Sequence, residues 1–334
     1  MLLDGRDPAS IARTAAALAA GELAALPTET VYGLAARADA DAAVAKIFAA
    51  KGRPADHPLI VHVADAAGAA AFAAALPPQA QRLIAAFWPG PLTVIVPRRP
   101  GVAAAAAGGQ DTIGLRCPAH PLAHAVLVAA RERGVAGLAA PSANRFGRVS
   151  PTRAAHVAEE FGPELLVLDG GACEVGIESS IVDCSRAGQG IVALLRPGLI
   201  TAGRIEAALG EPLRAADAAA PRASGTLEAH YAPRAVVRLF DAATLAARLT
   251  ELQARQSPLD GVAVYSRTPL TPPGPFVRTM PATAAAAAHE LFAALRELDA
   301  AGAREIWVES PPPGSDWDGV RDRLGRAAAA HAGG

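Results

Sequence analysis

Cysteine is scarce. Cys117, Cys173 and Cys184 are the three in 334 residues, an odd and widely spaced set that excludes a disulfide framework and fits a reducing cytoplasm. An excess of either charge is also missing. Lys+Arg total 31 against 32 Asp+Glu, a net charge of -1, which argues against a protein whose main work is coating nucleic acid. Long apolar runs are missing too. The alanine stretches Ala103 to Ala107 and Ala284 to Ala288 are soon interrupted by polar residues or glycine, so no spanning helix is expected. The first residues, Met1 to Asp7, show no basic region leading into an apolar stretch, and no signal peptide is expected. There is no G-x-x-x-x-G-K-[ST] and no G-x-G-x-x-G following a strand, which disfavours a P-loop NTPase or a dinucleotide enzyme. Lysine is nearly lacking as well. Lys46 and Lys51 stand alone among arginines, so a retained ammonium at Lys51 hints at chemistry.

What is present suffices for a folded protein. An apolar fraction of 51% over 33.8 kDa supports one large or two ordinary domains. Asp7-Pro8 followed by alanines up to Gly21 reads as a capped helix. Further helices are expected over Asp41 to Lys51, Gln79 to Phe87 and Pro121 to Arg133. Strands are expected at Leu23 to Leu26, Leu59 to Val63, Leu92 to Val96, Thr112 to Arg116, Val135 to Ala139, Leu165 to Leu168, Ser180 to Val182 and Val192 to Leu195. The irregular interleaving places residues 1 to 205 in one α/β domain around a twisted, mixed sheet. Residues 206 to 234 read as a linker, since from Leu209 to Pro233 no apolar period holds. Residues 235 to 334 read as a small Rossmann-like α/β domain. Its strands are Val236 to Phe240, Gly261 to Tyr265 and Glu305 to Val308, and its helices Ala242 to Arg255, Ala282 to Leu298 and Trp317 to Ala330.

His120 and His124, four apart with Cys117 upstream, have metal-like spacing. Pro121 makes His120 a helix cap, however, and no second ligand pair follows, so no protein metal site is expected. Three polar clusters carry more weight. Pro27-Thr28-Glu29-Thr30-Val31-Tyr32-Gly33 holds two hydroxyls, a carboxylate and a phenol where a strand turns into a loop. Lys51-Gly52-Arg53-Pro54 can converge two cations on one anion at a helix end. Pro141-Ser142-Ala143-Asn144 places a hydroxyl and an amide after an apolar strand. Plain turns and caps explain each singly. Together with Arg116, at the end of another strand, they describe a ligand cleft.

These segments, with Pro58 to His62, Trp88 to Thr93 and Glu178 to Asp183, resemble in content and order the YrdC-like family. The tail, with a linker ending in His230-Tyr231-Ala232-Pro233, resembles the two-domain L-threonylcarbamoyladenylate synthases of that family. The resemblance implies a YrdC-like domain, a lid-forming linker and a small C-terminal domain. It implies a nucleotidyltransferase that makes threonylcarbamoyl-AMP and pyrophosphate from L-threonine, bicarbonate and ATP, for N6-threonylcarbamoyladenosine in tRNA.

Carried over by motif, Lys51, Arg53, Ser142 and Asn144 form the catalytic tetrad. Thr30, His62, Arg116, Ala140 and Ser180 form the threonine pocket, with Arg116 holding the carboxylate in a bidentate pair. Arg53, His57, Thr112, Ser142, Ser150, Arg196 and Tyr231 line ATP, whose phosphates bring Mg²⁺. Two positions depart from the pattern: His57 stands where many relatives have asparagine, and Ser224-Gly225-Thr226-Leu227 replaces a Pro-Gly-Met-Lys-like start. The expected partners are the three substrates, the downstream tRNA threonylcarbamoyl transferase machinery and tRNA in transient contact, with no membrane. The alternative is an RNA-binding module of the same fold, which the charge balance disfavours.

Overall fold

The computed structural model describes residues 1–254, 261–269 and 276–331. They form two compact units, Met1–Phe146 with Ser150–Thr226 and Gly147–Val149 with Leu227–Gly334. The division falls inside the stretch expected as linker.

In the first unit the strands are β1 (Leu2–Asp4), β2 (Ala24–Leu26), β3 (Gly33–Arg37), β4 (Ile60–His62), β5 (Leu92–Pro97), β6 (Thr112–Arg116), β7 (Leu138–Ala139), β8 (Leu166–Asp169), β9 (Ser180–Asp183) and β10 (Ala193–Arg196). They make one mixed sheet in the order β1-β8-β2-β3-β7-β4-β6-β5-β9-β10. The helices are α1 (Pro8–Ala19), α2 (Asp41–Lys51), α3 (Pro78–Phe87), α4 (Pro121–Arg131), α5 (Ala154–Phe161) and α6 (Ala202–Leu209).

Local chemistry sets the helix ends. Asp7 caps α1 by accepting from the Ala9 N–H, and Pro8 occupies a position whose own N–H is not needed. Gly52 stops α2 at φ 63°, a left-handed conformation that a side chain disfavours. His120 caps α4, its Nδ1 accepting from the Leu122 N–H at 3.2 Å.

Three differences from the sequence reading have physical causes. The strand expected at Val135 to Ala139 shrinks to β7, because Gly134 turns at φ 79° and the Val135 N–H bonds back to the Ala130 carbonyl, finishing α4. β3 was not expected. Its Gly-Leu-Ala-Ala-Arg is almost wholly buried, and alanine in a strand covered on both faces leaves neither alternation nor β-branching to read. The stretch after Leu209 is less free than its composition suggests. The Leu213 N–H bonds Glu206, the Arg214 N–H bonds the Val192 carbonyl, and residues up to Thr226 belong to the first unit.

The second unit holds β11 (Val236–Phe240), β12 (Val262–Ser266), β13 (Val277–Thr279) and β14 (Glu305–Glu309), all parallel, in the order β11-β14-β12-β13. With them go α7 (Ala242–Ala254), α8 (Ala284–Ala300) and α9 (Asp318–Ala329). The expected end of the first of these helices, Arg255, lies outside the described residues. Helix α8 buries Ala287, Leu291, Phe292, Leu295 and Leu298, the apolar stripe of a core-facing helix. Among the described residues no helix is long and apolar enough to cross a membrane.

Candidate active site

The floor of the cleft is one face of the β4-β6-β5-β9 region. Side chains two apart share a face, so Thr112, Gly114 and Arg116 of β6 lie together, and Ile60 pairs with Gly114 as His62 pairs with Arg116. Thr93 of β5 pairs with Ile181 of β9, and Arg196 of β10 also pairs with Ile181. Ile60, Ile95 and Ile181 form an apolar cluster apart from the main core, with Leu195 and Ala223 packed on it. Gly114 keeps this floor low. A Cβ there would sit 3.4 Å from Thr93 Cγ2 and 3.7 Å from Ile60 Cγ1.

Residues Arg222 to Ser224 pass over this floor and line the same cavity as Ile60, Thr93, Thr112 and Ile181. Gln110 clasps the strap in both directions, accepting from the Arg222 N–H at 2.9 Å and donating to its carbonyl at 3.1 Å. Arg196 Nη1 donates to the Ser224 carbonyl at 2.7 Å, and Arg53 Nη2 reaches Ser224 Oγ at 3.5 Å. Of the stretch expected as a lid, Arg222 to Ser224 therefore lie on the first unit's cleft. Tyr231 belongs to the second unit. There its ring packs against Phe292 with centroids 5.4 Å apart and beneath the Arg323 guanidinium at 5.3 Å.

The expected tetrad is brought together by its backbone. Gly33 bridges Ser142, the Leu34 N–H bonds the Pro141 carbonyl and the Ala143 N–H bonds the Tyr32 carbonyl. The Pro141 to Asn144 turn is thus stitched to the start of β3. Lys51 Nζ then donates to the carbonyls of both Ser142 and Asn144, and the Phe146 N–H returns a bond to the Lys51 carbonyl. Lys51 is buried. Loss of water, and then the nearby Arg53 guanidinium, hold its ammonium well below the usual lysine range. Arg53 Nη2 donates to the Pro58 carbonyl at 2.9 Å, and its guanidinium stacks over Phe146. His57 meets the edge of the same ring at 5.5 Å. Partial burial, with Arg53 adding to it, lowers the His57 imidazole below the usual range.

Of the expected threonine residues, His62 and Arg116 are paired across β4 and β6. Ala140 follows β7, its N–H bonding the Ile60 carbonyl. Thr30 Oγ1 shares a 2.9 Å hydrogen bond with Thr28 Oγ1. Ser180 Oγ donates its proton to the Ile200 carbonyl at 2.7 Å, so only its lone pairs remain available. His62 is buried with Nδ1 unpartnered. Burial, with Arg116 next, pushes its imidazole down to about 3, and the ring is neutral at ordinary pH. Arg116 is not a lone cation. Its Nη2 lies 2.7 Å from Glu29 Oε1, both side chains buried, and its Nε donates to the Gly90 carbonyl at 3.3 Å.

Of the remaining expected residues, Ser150 Oγ donates to Glu178. Arg196 Nε and Nη2 hold the carbonyl and hydroxyl of Ser179 at 3.0 and 3.2 Å. Sequence reasoning assigned no role to Glu29, Gln110, Arg222 or Gly114. Glu29 stood in plain view inside a polar cluster. The others are legible only once β5, β6 and the strap are side by side. Among the described residues no group of three or more His, Cys, Asp or Glu could hold a metal ion. The three cysteines are free and buried.

The Sua5/YciO/YrdC family model, described as telomere recombination, matches residues 16–198. A second model, the threonylcarbamoyl-AMP synthase C-terminal domain, matches residues 200–329. The chain is 42% identical to the threonylcarbamoyl-AMP synthase of Bacillus subtilis over 246 residues, covering 72% of this chain and 68% of that one. It is 33% identical to the Schizosaccharomyces pombe enzyme of the same name, covering 91% of this chain and 84% of that one. The crystal structure of P. abyssi Sua5 complexed with L-threonine superposes with a TM-score of 0.88 at 35% identity, covering 99% and 97% of the two chains.

Proposed function

Because this chain belongs to the Sua5/YciO/YrdC family, in the two-domain form of the threonylcarbamoyl-AMP synthases, we infer how its cleft performs that family's reaction. The protein is an enzyme of the nucleotidyl-transfer class. It makes threonylcarbamoyl-AMP for N6-threonylcarbamoyladenosine modification of tRNA. L-Threonine and ATP are its substrates, and bicarbonate supplies the carbamoyl carbon.

The chemistry runs in two bond-forming steps. The threonine nitrogen adds to carbon dioxide derived from bicarbonate, giving a carbamate, water and a released proton. A carbamate oxygen then attacks the α-phosphorus of ATP in line, and the bond to the β-phosphate oxygen breaks to release pyrophosphate. The protein need form no covalent intermediate. It must hold several anions together and neutralise charge as it moves onto the leaving group.

The observation that supports this reading is the clamp at Lys51. Two of the three ammonium protons go to the Ser142 and Asn144 carbonyls, leaving one donor for a phosphate or carbamate oxygen. The same clamp fixes the backbone of the turn that carries the Ser142 hydroxyl and the Asn144 amide. Thr112, Ser150, Arg196 and His57 are assigned to the nucleotide side. Thr30, His62, Arg116, Ala140 and Ser180 are assigned to threonine. Mg²⁺ would arrive with ATP as part of the substrate, and would share with Lys51 and Arg53 the neutralisation of phosphate charge. A cytoplasmic setting suits three buried thiols, and a downstream transferase acting on tRNA must take the labile product. Pyrophosphate release that requires threonine and bicarbonate together is the expected assay result. Release with ATP alone, or none with all three, overturns the reading.

A further inference from the structure

Glu29 is buried, yet neither of its carboxylate oxygens receives a hydrogen bond. The Arg116 guanidinium approaches Oε1 at 2.7 Å without hydrogen-bond alignment. An ionised carboxylate has about four acceptor positions, and burying one unsatisfied is costly. The chain nevertheless aims it firmly. The Glu29 carbonyl accepts from the Val175 N–H at 2.7 Å, while Thr28 Oγ1 accepts from the N–H groups of Thr30 and Val31 and donates to the Val31 carbonyl. These bonds fix the backbone that carries the Glu29 side chain, and burial against Arg116 limits where its carboxylate can move. A second buried polar atom without a hydrogen-bond partner, His62 Nδ1, sits on the residue paired with Arg116 across β4 and β6.

An α-amino acid presents a carboxylate and, two bonds away, an ammonium with three donors. A cation beside unsatisfied acceptors is the complement of that zwitterion. Resting on the substrate assignment above, we propose that Glu29 receives the α-ammonium of threonine while Arg116, held beside it, takes the carboxylate. Glu29 is then a substrate-binding residue that sets where the reacting nitrogen stands. The bland alternative is that Glu29 serves only as a counter-ion for Arg116. The two differ in one respect. A counter-ion affects every ligand of Arg116 alike, whereas an ammonium acceptor affects only ligands that carry the ammonium.

The test is calorimetric binding of L-threonine and of 2,3-dihydroxybutanoate, which replaces the ammonium by a hydroxyl, to the full chain and to Glu29→Gln. The unaltered chain is expected to prefer threonine by roughly ten- to hundredfold, the worth of a charged hydrogen bond. Glu29→Gln is expected to cut that preference to about threefold or less, through weaker threonine binding and not through tighter binding of every ligand. Glu29→Asp keeps the charge and the pairing with Arg116 but withdraws the carboxylate by one methylene. It should lose part of the preference, and it carries the test should Glu29→Gln fail to fold. A preference unchanged in these variants overturns the proposal while the substrate assignment stands. Failure of the unaltered chain to bind threonine overturns both.

Discussion

Lys51 Nζ donates to the Ser142 carbonyl at 2.6 Å, joining the last residue of α2 to the turn that follows β7. This one ammonium ties the end of α2 to that turn, and in the reading proposed above it also presents charge to the substrate. Lys51→Met keeps the stem and removes both bonds. Each bond from a charged donor contributes about 1.5–3 kcal/mol, but the buried ammonium also carries a desolvation cost that the methionine escapes. A modest fall in thermal midpoint is expected. Turnover should fall much further, by about a hundredfold or more, the usual loss when one electrostatic donor leaves a transition state. Near-normal pyrophosphate release by a folded Lys51→Met protein would remove Lys51 from the chemistry.

The His62 imidazole gives the fold a pH dependence of known sign. Buried in the folded chain, it titrates near about 3, against 6.5 for the free side chain. Between those values the unfolded chain binds the extra proton, so acidification favours unfolding. The contribution is fully present above the unfolded value and is lost as pH falls toward the folded one, by up to about 1.4 kcal/mol per pH unit. Urea midpoints measured at about pH 7 and about pH 5 should differ less in His62→Gln than in the unaltered chain, since glutamine does not titrate. Equal differences in the two proteins would mean that His62 is not buried in its neutral form.

The sequence carried the cations further than it carried their partners. Lys51 ends a helix stopped by Gly52, and Arg53, Ser142 and Asn144 sit on turns announced by glycine and proline, whose chemistry is local. His62 and Arg116 end apolar strands that were legible from β-branched residues. The Glu29–Arg116 pair spans residues far apart in the chain, and its geometry depends on a sheet order that strand patterns alone cannot supply. β3 was hidden because its small, doubly buried side chains give no period. The linker was legible in outline but not in its fastenings. Its Pro, Gly and Ala content marks an irregular stretch that is either functional or mobile, and hydrogen bonds donated by Gln110 and Arg196 and accepted by Glu206 hold it as far as Ser224.

Gly114 offers a test of the floor. Its backbone does not need φ above zero, and the nearest atoms to an added Cβ lie at 3.4, 3.7 and 3.8 Å, ordinary contacts for a methyl group. Gly114→Ala should therefore fold with a thermal midpoint at or slightly above the original, helped by a less flexible unfolded chain worth about 0.4–1 kcal/mol. The methyl group nonetheless rises into the cavity that Thr112 and Ser224 line. The KM for ATP should increase by roughly fivefold, with the larger Gly114→Val worse. An unchanged KM in both variants would place the nucleotide elsewhere.

The strap over that floor has two kinds of fastening, and magnitudes decide between them. Arg222 Nη1 pairs with Asp56 at 2.7 Å, but the two side chains are 54% and 60% exposed, and such surface pairs contribute little that salt does not screen. The Gln110 amide instead makes two bonds to the backbone of Arg222, each contributing about 1 kcal/mol whatever side chain stands at 222. Gln110→Ala should therefore loosen the strap, while Asp56→Ala should leave it nearly as it was. Limited proteolysis between residues 211 and 226 reads the difference directly, because cleavage follows local opening. Gln110→Ala should be cut several-fold faster, by about fivefold if both bonds are lost at the lower end of their worth, and its nucleotide should dissociate faster as the cover opens. The rate for Asp56→Ala should lie within about twofold of the unaltered chain, and raising the salt should narrow that gap without touching the effect of Gln110→Ala. If Asp56→Ala is cut as fast as Gln110→Ala, the strap is held by charge and not by the amide clasp.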